Sequence, residues 1–434
     1  MGLSRSLSTG TSALRTFQRR FDFISNNLAN VNTIGYKSSR GNFVEQFNQV
    51  YSVGKSTDTG AKGVGGVMPL QFGLGVRLAG ITTDMTQGSI ETTGRPMDLA
   101  IQGDGYFVYN NGDRQVYSRA GIIAADKAGY IVDSSTGAYL QGYGLLLGPN
   151  GMIQKDADGI NILDKTTNNL IVSPNLISPP SQSTTVKLTG NLNSSASTGT
   201  TRDTSITVYD IKGAPHSLLM TFSKSANADE YTLDVKMDNI AVGTQQTIKF
   251  NNDGSINTPT DVTLAFADIN TALTGSPFSK DLKIQLSDPA NAIGGLTQYS
   301  APSSATALEQ NGYEPGELID MSVDQGGRLM GSFTNGQSEV LGRVAIAKFV
   351  NPAALVRTGN NFLVESPNSG LANIGTAGDI FPSTKIVGGA LEQSNVDMTI
   401  EFTEMISTQR AFEAASRTIT VSDTMLAEMN QLKR

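Results

Sequence analysis

Apolar side chains recur every three or four residues near the amino terminus. Past residues 9–11 the steps alternate between three and four, which is the heptad pattern of a helix that meets a partner along one stripe. The stripe runs from Leu3 and ends among Asn30, Asn32 and Gly35, which tolerate left-handed backbone and terminate helices. The pattern predicts a helix whose contact stripe contains Leu7, Leu14, Phe17, Phe21, Ile24, Leu28 and Val31.

The carboxyl end repeats this pattern. Its apolar stripe contains Met398, Phe402, Met405, Phe412, Ile419 and Leu426. Ser394 and Asn395 precede the stripe and are the predicted helix caps. Each helix alone would be an exposed amphipathic rod, so each needs a partner for its apolar side.

The charges of the two ends are opposite. Residues 1–40 hold six basic residues and one acidic residue, a net charge of +5, whereas residues 391–434 hold seven acidic and four basic residues, a net charge of -3. We therefore hypothesise that the terminal helices pack together, within one subunit, between subunits, or both. The alternative is that each helix packs on its own globular domain.

Between the helices the hydrophobic period changes to two. Short β-type runs, separated by turn signals every 8 to 12 residues, lie between residues 100 and 132 and again within 342–365. They predict one discontinuous β domain interrupted by an inserted β domain at residues 146–311. The insert opens with a Ser-, Thr- and Pro-rich stretch, 178–204, whose composition suits a linker or an exposed edge. The glycine-rich residues 54–75 indicate a flexible arm.

Composition narrows the chemistry further. The chain of 434 residues has no Cys, no Trp and a single histidine, His216, which excludes thiol catalysis, Cys-ligated zinc and multi-histidine metal sites. A net charge of -7 argues against nucleic-acid binding. No apolar run is long enough for a secretory signal or a membrane span.

The remaining chemical motifs are better explained as turns. Gly63–Gly66 and Gly103–Gly105 lack the strand, spacing and helix of a phosphate loop. Residues 156–159 lack the later acids of a calcium loop, and His216 has no nucleophile elbow to serve, so we expect an exposed histidine. The sequence therefore predicts a protein that is not an enzyme and has no catalytic, metal or cofactor site.

Three regions of the chain resemble the bacterial flagellar rod and hook family. Residues 25–37 resemble its amino-terminal signature. Residues 388–397, 401–406 and 409–412 resemble its terminal helix and lead-in, and residues 99–107, 117–121 and 140–142 resemble its β core. The signature residues are Ser25, Asn26, Asn27, Asn30, Asn32, Gly35 and Tyr36. The resemblance covers residues 1–145 and 312–434 and fades across the insert.

The resemblance implies a structural subunit that is exported without a cleaved signal by the flagellar type III apparatus. Such subunits polymerise under a cap, contact the rod and the junction proteins of the filament, and do not insert into lipid. The length, the insert and residues 296–299 favour a subunit of the curved tube that carries motor torque. The alternative is a distal rod protein.

The expected fold is mainly β with α-helical termini. The terminal helices, with the glycine-rich arm, form a coiled-coil-like inner domain from residues 1–70 and 388–434. Residues 71–145 and 312–387 form the β core, and residues 146–311 form the inserted outer β domain.

Overall fold

A computed structural model describes residues 2–54, 66, 68–146, 154, 161–173, 175–273, 277–287 and 295–432 of the chain. The fold is mainly β with a long helix at each end, which confirms the predicted fold class. The chain divides into two compact units. The first comprises Met1–Pro174, Met321–Gly331 and Glu339–Arg434, and the second comprises Asn175–Asp320 and Ser332–Ser338. The division into three domains stays a prediction.

The first unit begins with one helix and twelve strands. They are α1 Gly2–Ala29, β1 Ser39–Glu45, β2 Asn48–Ser52, β3 Leu70–Gly73, β4 Val76–Thr83, β5 Ile90–Thr92, β6 Leu99–Gln102, β7 Tyr106–Asn110, β8 Gln115–Ser118, β9 Ile123–Ala125, β10 Ile131–Asp133, β11 Tyr139–Gly144 and β12 Asn168–Asn169. Within the predicted arm, β3 pairs with β2, while residues 55–65 and 67 lie outside the described residues.

The chain continues through the second unit. Its elements are β13 Ile177–Ser178, β14 Thr185–Asn191, β15 Thr201–Tyr209, β16 Pro215–Lys224, β17 Glu230–Met237, β18 Ile240–Ala241, β19 Gln246–Phe250, β20 Ile256–Thr258, β21 Asp261–Leu264, α2 Phe266–Ala272, β22 Leu282–Gln285, β23 Leu296–Thr297, β24 Thr306–Gln310 and β25 Gly316–Val323. The last residues of β25 already belong to the first unit.

The rest of the chain belongs mostly to the first unit and ends in a helix. Its elements are β26 Arg328–Phe333, β27 Ser338–Val344, β28 Ile346–Lys348, a 3-10 turn Pro352–Ala354, β29 Val356–Gly359, β30 Phe362–Val364, β31 Asn373–Gly375, β32 Lys385–Gly388, β33 Ala390–Glu392 and α3 Met398–Leu432.

The core of the first unit joins strands from before and after the insert. β7 pairs with β8, β11 and β28, and β8 pairs with β30, so residues 106–118 share a sheet with residues 346–364. Tyr106, Val108 and Tyr117 pack there against Ala347 and Leu363. Two further pairs, β5 with β33 and β6 with β32, bring the start of α3 back to this core. Strands from the two β stretches on either side of the insert therefore lie in one sheet.

The second unit contains a six-stranded and a five-stranded sheet that share one apolar core. Along β16 alternate side chains are buried, as a strand with one face on a core requires. Residues 178–204 were expected to be a linker or an exposed edge, and this was wrong. β14 lies inside the five-stranded sheet, bonded to β22, β23 and β24, and it buries Val186 and Leu188 between polar neighbours.

Two further expectations need correction. His216 is buried, not exposed, and its Nδ1 lies 2.6 Å from Asp238 Oδ2, which compensates for the loss of water. Ser394 and Asn395 do not cap α3. Asp397 does so, accepting the backbone N–H groups of Thr399 and Ile400 at 2.8 and 3.2 Å.

The turn prediction at residues 103–105 is confirmed, because Gly103 and Gly105 have φ of 99° and 145°. The proposed turn at residues 156–159, like Gly63 and Gly65, lies outside the described residues. Within the described part of the chain, no helix combines the length and apolarity needed to cross a membrane.

Candidate functional site

The terminal helices lie side by side in antiparallel orientation. The Ser6 and Ser422 hydroxyls are 3.2 Å apart near one end of the pair. Near the other end Asn27 Nδ2 donates to Glu401 Oε1 at 2.9 Å. Residue numbers therefore rise along α1 as they fall along α3. Both helices belong to the same chain, so its two ends pair within one subunit.

Small and polar residues dominate the buried positions of the two helices. Gly10, Thr16 and Asn27 of α1 and Thr408 and Ser422 of α3 are buried. Among the side chains that the structure describes in these helices, Ile24 is the one large apolar side chain that is buried. A Cβ atom on Gly10 would lie 2.8 Å from Ile419 Cγ1. Gly10 interrupts the amino-terminal stripe, and the Ile419 side chain of α3 occupies the space that a side chain at position 10 would need.

The structure places the predicted stripe residues at different depths. Ile24 is buried, and Phe21, Met398, Phe402 and Phe412 are exposed. The half-buried members are Leu7, Leu14, Phe17, Leu28, Val31, Met405, Ile419 and Leu426. The pair within one subunit therefore covers only part of the two stripes.

We predict that Gly10→Leu separates the helices and costs about 1–3 kcal/mol, because the added side chain overpacks the contact with Ile419. The measurement is hydrogen exchange of the α1 and α3 backbone amides. Ser8→Leu, at an exposed position of α1, is the matched control and should leave the exchange unchanged. Equal protection in both variants would contradict this role of Gly10.

Asn27 joins α1, α3 and the first strand. Its Nδ2 donates to the Ser39 carbonyl at 3.0 Å as well as to Glu401, and its Oδ1 accepts the Ser39 N–H at 3.0 Å and the Tyr36 hydroxyl at 3.3 Å. The side chain is 3% exposed, so these four bonds replace water. Only an amide supplies donors and acceptors for this set.

The other signature residues shape the end of α1. Asn30 Nδ2 donates to the Asn26 carbonyl and side chain at 2.8 and 2.9 Å, and Gly35 adopts φ of 70°. A Cβ on Gly35 would lie 2.7 Å from the Ala120 backbone nitrogen. The Arg357 guanidinium lies 4.9 Å from the centre of the Tyr36 ring. Ser25 is half-buried and Asn32 is exposed.

A buried ion cluster lies directly beyond this turn. Glu392 Oε1 accepts from Lys37 Nζ at 2.6 Å and from the Gly88 N–H at 2.9 Å, while Glu392 Oε2 accepts from Arg119 Nη1 at 3.2 Å. The Glu392 side chain is fully buried and those of Lys37 and Arg119 are 4% exposed. Burial lowers the pKa of Lys37, although the bond and the charge of Glu392 act in the opposite direction.

The sequence analysis did not select these three charged residues. Lys37, Arg119 and Glu392 each lie inside a segment that carries the family resemblance, and each has a glycine within three residues. A charged residue inside a segment that resembles the family was therefore the signal in the sequence that could have identified these residues. Their separation along the chain, 355 residues for Lys37 and Glu392, hid the contact.

Glu401 is an acidic residue of α3 whose pKa is raised in the folded chain. Burial raises the pKa of Glu401, against the bond from Asn27 that lowers it, and the charge of Glu404 raises it further. A carboxyl with a raised folded-state pKa favours the folded state at low pH. We predict that the Glu401 contribution is greatest below about pH 4.5, the unfolded value, and is lost as the pH rises through the folded-state pKa.

Glu401→Gln, which keeps an acceptor for Asn27, should remove this component of the pH dependence. The measurement is helix unfolding followed by circular dichroism at several pH values from the unfolded value of 4.5 upwards. Glu428→Gln, exposed on α3, is the control. If the two variants have the same pH profile, Glu401 is not the responsible group.

Four family descriptions match this chain. Residues 7–37 match "Flagella basal body rod protein" and residues 387–432 match "Flagellar basal body rod FlgEFG protein C-terminal". Residues 100–191 match "Flagellar hook protein FlgE/F/G D1 domain", and residues 176–313 match "Flagellar basal body protein FlaE D2 domain". The matches at residues 7–37 and 387–432 cover most of α1 and all of α3.

Curated relatives match along the whole length. The chain is similar to the flagellar hook protein FlgE of Treponema pallidum, at 33% identity over 100% of both chains. It is similar to that of Borreliella burgdorferi at 31% identity over 99% of this chain and 100% of the relative. A solved hook protein FlgE2 of Helicobacter pylori aligns with 70% of this chain and 100% of its own, at 16% identity and a TM-score of 0.46.

Proposed function

This chain belongs to the flagellar hook protein family, and from that membership we propose that its terminal helices drive polymerisation into the curved tube of the hook. The observation that carries the proposal is the incomplete cover of the helix pair. Phe21, Met398, Phe402 and Phe412 remain between 39% and 47% exposed, although they belong to the stripes that predict a packed helix. Clustered apolar side chains on a folded surface indicate an interaction site.

A second copy of the chain is the partner that this surface requires. Each copy carries the same incompletely covered pair, so stacking many copies buries the exposed stripes repeatedly. The antiparallel pair and the ion cluster supply the comparatively fixed part of each subunit. The opposite net charges of the two chain ends favour the packing of α1 against α3.

The tube that we propose transmits motor torque from the rod to the filament and bends as it rotates. Each row of subunits must then shorten and lengthen during every turn. Polar, glycine-rich contacts slide between nearly equal arrangements more easily than close-packed apolar contacts. We therefore assign the adjustable contacts to the arm at residues 54–75 and to the outer surfaces of the insert.

The remaining partners follow from the family alone. We propose contacts with the rod, the hook–filament junction proteins and the cap, and export by the type III apparatus without a cleaved signal. The alternative, a distal rod protein, has less support, because both of the full-length relatives named above are hook proteins. A structural subunit needs no catalytic site, and we propose none.

Polymerisation of the purified full-length chain tests the proposal. Concentration or added salt should produce uniform tubes in negative-stain electron microscopy, and a chain lacking residues 1–30 should produce none. Hydrogen exchange of β16 and β17 serves as the folding control for the shortened chain. Tubes formed equally well without residues 1–30 would refute the role of the helices, and a full-length chain that never assembles would refute the function.

A further inference from the structure

A small cavity lies in the first unit beside the buried ion cluster. Its volume is about 120 Å³, which is room for several water molecules, since each needs at least about 10–15 Å³. Lys37, Arg119 and Arg357 line the cavity from three distant segments of the chain, and all of its lining residues belong to the first unit. Among the described residues, no acidic side chain lines it. The cavity is therefore surrounded by positive charge.

The three cations around the cavity share one contacting acid. Glu392 binds Lys37 and Arg119 from outside the cavity lining. Arg357 forms no ion pair with a residue that the structure describes. The charge of Asp84 also acts on Lys37, but Asp84 does not line the cavity either. Because charge that is removed from water is costly unless it is paired, the cavity favours an anion.

Aromatic rings cover one face of both guanidinium groups. The central carbon of Arg119 lies 5.2 Å from the centre of the Tyr106 ring, and that of Arg357 lies 4.9 Å from the centre of the Tyr36 ring. The N–H groups of a stacked guanidinium point outwards in its own plane. A planar carboxylate accepts two such N–H groups side by side, so it matches the edge of a stacked arginine.

Both arginines have N–H groups left for such a ligand. Arg119 uses Nη1 for Glu392 and for the Ile101 carbonyl, at 3.2 and 3.5 Å. Its side chain is 4% exposed, and Nε donates to no described residue. Arg357 Nη2 donates to the Lys37 carbonyl, and an arginine has five N–H groups in all. A buried N–H group without a partner is unfavourable, and a carboxylate on the Nε edge of Arg119 compensates for it.

The rest of the wall limits the size and shape of the ligand. Met85, Phe362 and Leu363 add apolar surface to the lining. Asn361, in the turn between β29 and β30, donates through Nδ2 to the Ile34 carbonyl at 2.9 Å, which holds the turn beside the cavity. Pockets for drug-sized ligands have volumes of about 300–1,000 Å³, so this cavity accepts only a few heavy atoms. A carboxylate on a short hydrocarbon chain meets both conditions.

We propose that the cavity binds a free organic carboxylate of about two to four carbon atoms. Its oxygens face the guanidinium edges of Arg119 and Arg357, and its hydrocarbon part lies against Met85 and Leu363. The bound anion compensates for the positive charge of the lining, so it stabilises the first unit. The site lies within one unit of one subunit and does not depend on polymerisation.

Methyl NMR of the dispersed full-length chain, labelled at its methionines, tests the site. Met85 lines the cavity and reports on it directly, whereas Met220 is buried in the second unit and is the internal control. Sodium propionate, exchanged for sodium chloride at constant ionic strength and neutral pH, should shift the Met85 signal to saturation and leave Met220 unchanged. Propionamide has the same shape without the charge and should not shift either signal.

Two variants show whether the cavity arginines bind the probe. Arg357→Gln should weaken propionate binding about 10- to 100-fold, the effect of losing a hydrogen bond to a charged group. Arg357 is exposed, so the fold should be kept, and the spectra of the variants without propionate check this. Arg114→Gln, at an exposed position of the first unit outside the cavity lining, is the matched control and should bind propionate normally.

Several results would overturn the site. These are a Met85 signal that propionate does not shift, an equal response to propionamide, or an Arg357 variant that binds propionate as well as the Arg114 control does. Sulfate that binds more tightly than propionate would overturn the carboxylate class. Binding of N-acetylglutamate amide without binding of propionate would overturn the free ligand, because the cavity would then accept an acidic side chain of a polypeptide.

Discussion

Glu392→Gln is expected to destabilise the first unit by about 3–5 kcal/mol, the cost of breaking a buried ion pair. Glu392 is the carboxylate that both Lys37 Nζ and Arg119 Nη1 contact, at 2.6 and 3.2 Å. Glutamine has nearly the same shape but no charge, so both cations would remain buried without their anion. The amide would also place donors where Lys37 and Arg119 already donate.

Hydrogen exchange measures this effect separately in the two units. Peptides from β6–β8 should lose protection, while peptides from β16 and β17 should keep it. Glu309→Gln is the matched control, because its 2.5 Å pair with Lys187 is about half exposed and exposed pairs contribute about 0–1 kcal/mol. A variant of Glu392 that exchanged like the Glu309 control would show that the cluster contributes little.

The same variant has an expected pH signature. Burial already lowers the pKa of Lys37 from 10.5, so the folded state gains stability relative to the unfolded state as the pH rises from the folded-state value towards 10.5. Removing Glu392 removes two of the influences that raise this pKa, the hydrogen bond and the charge of Glu392. The variant should therefore recover more stability in alkaline solution than the unaltered chain does, and unfolding at several pH values checks this.

Asn27→Asp is expected to cost about 2–4 kcal/mol at neutral pH and to open one end of the helix pair. The substitution removes the donors to the Ser39 carbonyl and Glu401, and it places a second carboxylate at the 2.9 Å contact with Glu401. Asn26→Asp adds the same charge at the neighbouring exposed position and should cost less than about 0.5 kcal/mol.

A double-mutant cycle separates the repulsion from the lost bonds. Adding Glu401→Gln to Asn27→Asp should recover the electrostatic part of the loss, because the new carboxylate then faces an amide. Unfolding monitored by circular dichroism and tube formation by microscopy are the two measurements. If Asn27→Asp and Asn26→Asp behaved alike, the signature asparagine would act outside the subunit and not through these bonds.

Local patterns in the sequence were sufficient for most elements. A heptad stripe predicted α1 and α3, and the short β-type runs at residues 100–132 and 342–365 predicted strands such as β7 and β30. Where local composition misled, a long-range contact was the reason. The Ser- and Thr-rich stretch became the inner strand β14 because β22, β23 and β24 cover it.

The sequence by itself determined that the two ends are amphipathic helices of opposite charge, that the middle is β, and that thiol and multi-histidine chemistry are absent. Only the tertiary structure decided which side of each helix is covered, that Gly10 faces Ile419, and that Lys37, Arg119 and Glu392 share one buried site. The physical reason is that periodicity depends on residues a few positions apart. Desolvation of a charge depends on groups brought together from segments 273 and 355 residues apart.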